Sequence, residues 1–157
     1  MTLRHATACL LALVAAVSCK GDATGPAGIT FPEISSTLRA NYCVRSNAIV
    51  GQTKSGAISS TDCDDGSGYY ETYIVKVSTA RTVTFTVGSA FDSYLILLEI
   101  DSFSATDYVS TFLDADDDSG VGLDAQLSFV LEPGVDYVIV ISGLNYSDVG
   151  SYTLQIQ

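Results

Sequence analysis

At 157 residues the chain is sized for one domain and is long enough to bury a real core. Its 18 acidic residues outnumber 7 basic ones, for a formal net charge of −11. That balance argues against nucleic acid as a partner, since phosphate contacts require clustered Lys and Arg, and against adhesion to anionic headgroups; it suits a soluble, cation-attracting surface.

The chain opens MTLRHATACLLALVAAVSCKGD, a short n-region with Arg4 followed by an apolar run over residues 6–17. Such a run is too short to span a bilayer and has the form of a signal-peptide h-region. Its end, Ala16-Val17-Ser18-Cys19, resembles a bacterial lipobox, in which small residues precede the Cys that is lipidated and becomes the new N-terminus; Ala16 stands where that pattern usually has Leu. We read residues 1–18 as a signal peptide and Cys19 as the lipidation site, with ordinary cleavage nearby as the alternative. Lys20, in place of the Asp of an inner-membrane retention signal, points to the outer membrane or cell surface; a periplasmic or secreted protein is the alternative. Membrane contact is then through the lipid alone. Residues 19–36, with Pro26 and Pro32 and no strand or helix period, form a tether spanning about 20–25 Å root-mean-square. Residues 37–157 form the domain. Cys9 leaves with the leader and Cys19 carries lipid, so Cys43 and Cys63 admit one pairing, a disulfide suited to an oxidising compartment. Two buried free thiols are the alternative.

Beyond residue 37 the pattern is strand, turn, strand. Residues 48–59 and 107–113 supply two segments of strand composition. YETYIVKV (70–77) sets Tyr73, Val75 and Val77 on one face against Thr72, Ile74 and Lys76. RTVTFTV (81–87) alternates Val83, Phe85 and Val87 with Thr82, Thr84 and Thr86. DSYLILLEI (92–100) and VDYVIVIS (135–142) are apolar on both faces, as central strands covered on both sides are. LDAQLSFVL (123–131) turns Leu127, Phe129 and Leu131 inward, and SYTLQIQ (151–157) alternates to the last residue. Pro133-Gly134 fits a type II turn. The expectation is all-β: a β-sandwich of about eight antiparallel strands.

Taken in order, Phe91-Asp92-x-Tyr94-Leu95, Asp117-Asp118-Ser119, Pro133-Gly134-x-x-Tyr137 and Gly150-x-Tyr152-x-Leu154 resemble the bacterial pre-peptidase C-terminal domain family over about residues 49–157. The resemblance implies a jelly-roll-like β-sandwich with a non-catalytic accessory role, some members of that family resembling collagen-binding modules and some binding calcium through acidic loops. No peptidase precedes the domain in this sequence, so no activity carries over from a catalytic neighbour.

The stretch DADDDSG (114–120) raises the metal question directly. Asp114-x-Asp116-x-Asp118 reproduces the first three ligand positions of an EF-hand, but Ser119 replaces the Gly at position six and Ala125 the Glu at position twelve. An EF-hand is out; oxygen-rich calcium coordination is not. If 92–100 pairs with 107–113 so that residue 100 faces 107, residue 92 faces about 115, placing Asp92 at the base of the loop. Asp92, Asp114, Asp116, Asp117, Asp118 and Asp124 are therefore the candidate calcium ligands. The alternative is that these carboxylates cap their own turns. Asp62, Asp64 and Asp65, beside Cys63, read as a solvated loop pinned by the disulfide. Tyr73, Tyr94, Tyr137 and Tyr152 read as core or sheet-edge residues, whereas Tyr69, Tyr70, Tyr108 and Tyr146 lie nearer loops, freer to contact a ligand.

The chemistry that is missing narrows the function. The only histidine, His5, lies in the leader, so the mature chain has no imidazole for a Ser–His or Cys–His mechanism and no His for zinc. Gly66-Ser67-Gly68 is a turn, not a phosphate cradle. A carboxylate pair for glycoside hydrolysis usually comes with an aromatic sugar platform, and the chain has no Trp. We expect no enzyme, but an envelope-anchored module binding an extracellular polymer or a protein partner, with calcium as a stabilising ion. The alternatives are a structural or assembly subunit without a ligand and, last, a carboxylate-dependent hydrolase.

Overall fold

The computed structural model describes residues 43–103 and 108–157. The signal peptide, Cys19 and the tether fall outside them, as does the side chain of Tyr108. Ten strands run in chain order: β1 (Val44–Ala48), β2 (Thr53–Ile58), β3 (Cys63–Asp64), β4 (Tyr69–Val75), β5 (Arg81–Ser89), β6 (Ser93–Phe103), β7 (Tyr108–Asp116), β8 (Gln126–Leu131), β9 (Asp136–Gly143) and β10 (Gly150–Ile156). The larger sheet has the order β1-β4-β9-β6-β7, with β3 added to β4; the smaller has the order β2-β10-β5-β8. This is the expected β-sandwich.

Alternation drives the closure of the two sheets. Val83, Phe85 and Val87 of β5, and Tyr152, Leu154 and Ile156 of β10, face inward and are buried. They meet Tyr73 and Val75 of β4, Leu95 and Leu97 of β6, and Ile139 and Ile141 of β9 in one core. The central strands of the larger sheet are also apolar on their outer face, where Ile74, Val138, Val140 and Ile100 form a second cluster with Val44.

The structure departs from the sequence expectation in three places. The segment 48–59 holds β2 and only the last residue of a preceding strand, β1, which lies in the larger sheet, parallel to β4, whereas β2 lies in the smaller, antiparallel to β10. Gly51, at φ 91°, makes the crossing between them, a conformation that costs glycine least. The β6–β7 hairpin pairs Ile100 with Ser110 and Leu95 with Asp116, not residue 100 with 107, because β6 runs on to pair Phe103 with Tyr108; the irregularities between Leu97/Leu98 and Ile100/Ser102 each shift the register by one residue and cancel. Extending that register puts Asp92 three to four positions farther along than expected. Asp114 and Asp116 consequently belong to β7, not to a loop.

Cys43 and Cys63 form the expected disulfide, separated by 20 residues. It ties the entry to β1 to the short strand β3. A closed loop of that length stabilises by about 3 kcal/mol through the entropy of the unfolded chain. Replacing both cysteines by serine should lower the unfolding free energy in denaturant titration by that amount, with the fold retained in far-ultraviolet circular dichroism.

Candidate functional site

The acidic residues gather at one end of the sandwich, where β6 begins, β7 ends and β8 begins. Their carboxylates are largely occupied by backbone donors. Asp116 Oδ2 accepts the N–H groups of Ser119 (3.0 Å) and Gln126 (2.7 Å). Burial pushes this carboxyl up, but those hydrogen bonds outweigh it and hold the group below its ordinary range. Asp124 Oδ1 accepts the N–H (2.9 Å) and hydroxyl (3.0 Å) of Ser89, joining the loop to β5. Asp114 Oδ1 accepts the N–H of Ala115 (2.9 Å). Asp148 Oδ2 binds the main chain and amide of Asn145, both at 2.8 Å.

Asp92 behaves differently. Its carboxyl lies above its ordinary value through desolvation, followed by the charges of Asp148, Asp117 and Asp118. The charges of Asp148, Asp117 and Asp118 thus act on Asp92. Among the described residues no group of three acidic, histidine or cysteine side chains is placed to hold a metal ion. The second acidic loop is self-capped in the same manner: Asp65 Oδ1 accepts Ser67 and Gly68 N–H groups. Asp64 accepts the hydroxyl of Tyr146 at 2.5 Å, and the Tyr146 ring packs on Tyr69 with centroids 4.9 Å apart.

The outer face of the smaller sheet has the opposite character. β5 turns Thr82, Thr84 and Thr86 outward, and the register sets β8 residues Val130, Ser128 and Gln126 beside them. On the other side lie Gln155, Thr153 and Ser151 of β10, then Thr53, Ser55 and Ala57 of β2. Thr84 and Ser128 share a hydrogen bond of 2.8 Å, and Gln126 Nε2 donates to Thr86 Oγ1 at 2.9 Å. No charged side chain stands on these rows. Gly88 interrupts them: a Cβ there would sit 3.1 Å from Thr153 Oγ1. Without it, a shallow open depression of about 440 Å³ forms, bordered by Ser55, Ser151 and Thr153.

Beneath this sheet lies a polar cluster. Glu71 is 1% exposed and pairs through Oε1 with Arg45 Nε at 2.7 Å, the arginine being 49% exposed. Tyr152 donates its hydroxyl to Glu71 Oε2 at 2.5 Å and lies 3.0 Å from the Tyr73 hydroxyl. A Cβ on Gly56 would fall 2.4 Å from the Tyr152 hydroxyl oxygen and 2.7 Å from Glu71 Oε2, so β2 crosses the cluster only with glycine there. Burial raises the Glu71 carboxyl against the lowering effect of Tyr152 and Arg45, and burial with Glu71 also raises the Tyr152 phenol. Sequence reasoning placed Tyr73 and Tyr152 in the core, where they are, together with Tyr137. It passed over Glu71, although the signal was present: by alternation Glu71 shares the inward face of Tyr73 and Val75.

No protein-family model matches the chain, and no curated protein sequence is similar to it. Solved structures are similar in fold. The pre-peptidase C-terminal domain of a collagenase from Bacillus anthracis matches with a TM-score of 0.52 at 15% identity, over 71% of this chain and 93% of that domain. CorA of Methylomicrobium album BG8, a surface-associated copper-binding protein, matches with a TM-score of 0.50 at 8% identity, over 71% of this chain and 96% of that one. The chain has a pre-peptidase C-terminal-like fold, in agreement with the motif resemblance.

The Glu71 cluster makes stability pH-dependent with a definite sign. A carboxyl whose folded pKa is raised binds more protons folded than unfolded, so its contribution is full below the ordinary carboxylate value and is lost as pH rises through the raised value. Glu71→Gln should remove that part of the slope when unfolding free energies are compared between pH 4 and pH 7. Tyr152→Phe, which strips a donor from a buried carboxylate, should cost about 1–3 kcal/mol in the same measurement.

Proposed function

We propose that this protein is an exported, non-catalytic β-sandwich module, anchored at the bacterial envelope through Cys19, that binds a neutral extracellular polysaccharide on the outer face of its smaller sheet. One observation carries this reading: in a chain with 18 acidic residues, a four-stranded face presents hydroxyls and amides and no charge. Ser, Thr and Gln each both donate and accept, as sugar hydroxyls do, so the two surfaces exchange hydrogen bonds with little charge to desolvate. The depression at Gly88 offers a place for a ring to settle among Ser55, Ser151 and Thr153. The disulfide supports export, because such bonds persist in oxidising compartments. Absence of histidine beyond residue 5 supports a binding role over catalysis.

Affinity electrophoresis through gels containing neutral glucans, mannans or galactans tests the proposal. At least one should retard the wild-type domain, and Thr84→Glu or Thr153→Glu, which place a charge on the face without touching the core, should abolish the retardation. Unchanged mobility of the wild type on every neutral polymer overturns the reading.

Calcium is the second element of the proposal, favoured by the charges of Asp148, Asp117 and Asp118, which after desolvation lift Asp92. Rotation of the half-buried Asp117 and exposed Asp118 carboxylates toward Asp92 and Asp148 would assemble an oxygen set of the kind calcium takes. Millimolar calcium should then raise the melting temperature and chelator reverse it, with Asp118→Ala removing the response. A midpoint indifferent to calcium rejects the ion and leaves the polysaccharide face untouched.

A further inference from the structure

We propose that the loop end of the sandwich, where β6 begins and β9 ends, is a docking surface for a basic protein partner that presents apolar side chains among Lys and Arg. The connections 59–68, 90–92, 117–125 and 144–149 all lie at this end. The ladders set the end of β2 beside the start of β10, the end of β5 beside the start of β8, and the start of β6 beside the end of β9. Among the described residues, the exposed large apolar side chains concentrate here. Val121 is 85% and Leu123 60% exposed on the 117–125 connection, and Leu144, Tyr146 and Val149 stand exposed on 144–149. The two groups are neighbours. Ser93 N–H donates to the Leu123 carbonyl at 3.1 Å and Leu144 N–H to the Asp92 carbonyl at 2.9 Å. The two leucines therefore flank the start of β6, about two strand spacings or roughly 10 Å apart. Tyr146 carries the surface on to the 59–68 loop, through its hydroxyl to Asp64 and its ring against Tyr69.

The turns themselves do not call for these side chains. The 120–124 turn is closed by main-chain bonds, Gly120 N–H to the Asp124 carbonyl (2.8 Å) and Asp124 N–H to the Val121 carbonyl (3.3 Å). Turn positions ordinarily take Gly, Asp, Asn or Ser; single exposed apolar residues mean little, but a contiguous patch of them rimmed by polar groups marks a contact surface. Charge decides the kind of partner. The same four connections contain aspartates and not one Lys, Arg or His. Desolvation and then the charges of Asp148, Asp117 and Asp118 raise the Asp92 carboxyl, so the negative field reaches across the patch. That field repels anionic lipid headgroups, so the exposed leucines do not make a membrane foot, and it repels a second copy meeting it end to end. A cationic protein is attracted instead: ion pairs at the rim steer it, and apolar contact with Val121, Leu123 and Leu144 supplies the affinity. The hydroxyl rows of the smaller sheet are a different surface, so the two binding proposals stand or fall separately.

Two synthetic peptides of equal length and charge, one alternating Lys with Leu and the other Lys with Ser, test this when titrated into the intact exported protein with chelator present. The Lys–Leu peptide should bind at least about tenfold more tightly than the Lys–Ser peptide, since only it can bury apolar surface. Its affinity should fall at least about fivefold between about 50 mM and about 500 mM salt, as screening removes the rim's attraction. Val121→Ser with Leu123→Ser, both at exposed positions, should weaken Lys–Leu binding about tenfold and leave the melting temperature unchanged. If that double variant melts lower, Val149→Ser on the other loop should still weaken binding. Amide shifts in nuclear magnetic resonance should move in 121–124 and 144–149. No binding of the Lys–Leu peptide, equal affinity of the two peptides, or shifts confined to other surfaces each overturns the proposal.

Discussion

Strand β9 sits between β4 and β6 and buries Tyr137 through Ile141 without a break, so no part of its central run is left to solvent. Its hydrogen bonds hold the larger sheet together, with Tyr73↔Ile139 on one side and Leu97↔Ile139 on the other. A strand apolar on both faces is stable only if both are covered. Ile139 and Ile141 find their cover in the smaller sheet, whose strands alternate and leave their other face polar. The remaining architecture follows from that asymmetry: a one-sided sheet packs on a two-sided one.

The parts legible in the sequence are those where periodicity is set by burial. Thr82, Thr84 and Thr86 alternate with Val83, Phe85 and Val87 because one side of β5 faces the core and the other water, and β10 repeats the pattern. The continuous runs of β6 and β9 identified them as central. The β6–β7 register was not legible, since β6 runs past residue 100 to pair Phe103 with Tyr108 and no local residue pattern marks where the strand ends. β1 was missed as a separate strand because its partner, β4, is parallel and distant in sequence, so no hairpin turn marks it. The disulfide was readable from cysteine number and compartment alone.

The aspartates show why composition is a weak guide to a site. Asp116 belongs to the spacing that looked most like ligands and Asp124 precedes the next strand, yet each accepts main-chain donors that the loop would otherwise strand. The bonds to Asp116 stabilise its ionised form and tie the β7–β8 connection at Gln126, and those to Asp124 tie it to the β5 end at Ser89. Asp92 instead is raised by desolvation and then by the charges of Asp148, Asp117 and Asp118. An acidic end and an uncharged sheet face thus lie on one small domain, and the two differ in what they ask of the solvent.

Glu71 links these levels. A charge at an inward position of β4 runs against the apolar pattern of its strand, and replacing such a pair by hydrophobic residues is often neutral or stabilising, so stability alone does not account for it. What the cluster does is specify geometry. Arg45 of β1 and Tyr152 of β10 bind the Glu71 carboxylate of β4, and Tyr73 of β4 shares a hydrogen bond with the Tyr152 hydroxyl, so three strands of two sheets meet at one cluster. Gly56 completes the fit by letting β2 pass directly over the Tyr152 hydroxyl. Since Tyr152↔Gly56 and Thr153↔Ser55 are successive pairs of the same ladder, the buried carboxylate fixes the height of the strands whose other face carries the hydroxyl rows. A polar residue misplaced by the logic of the core is well placed by the logic of the surface above it.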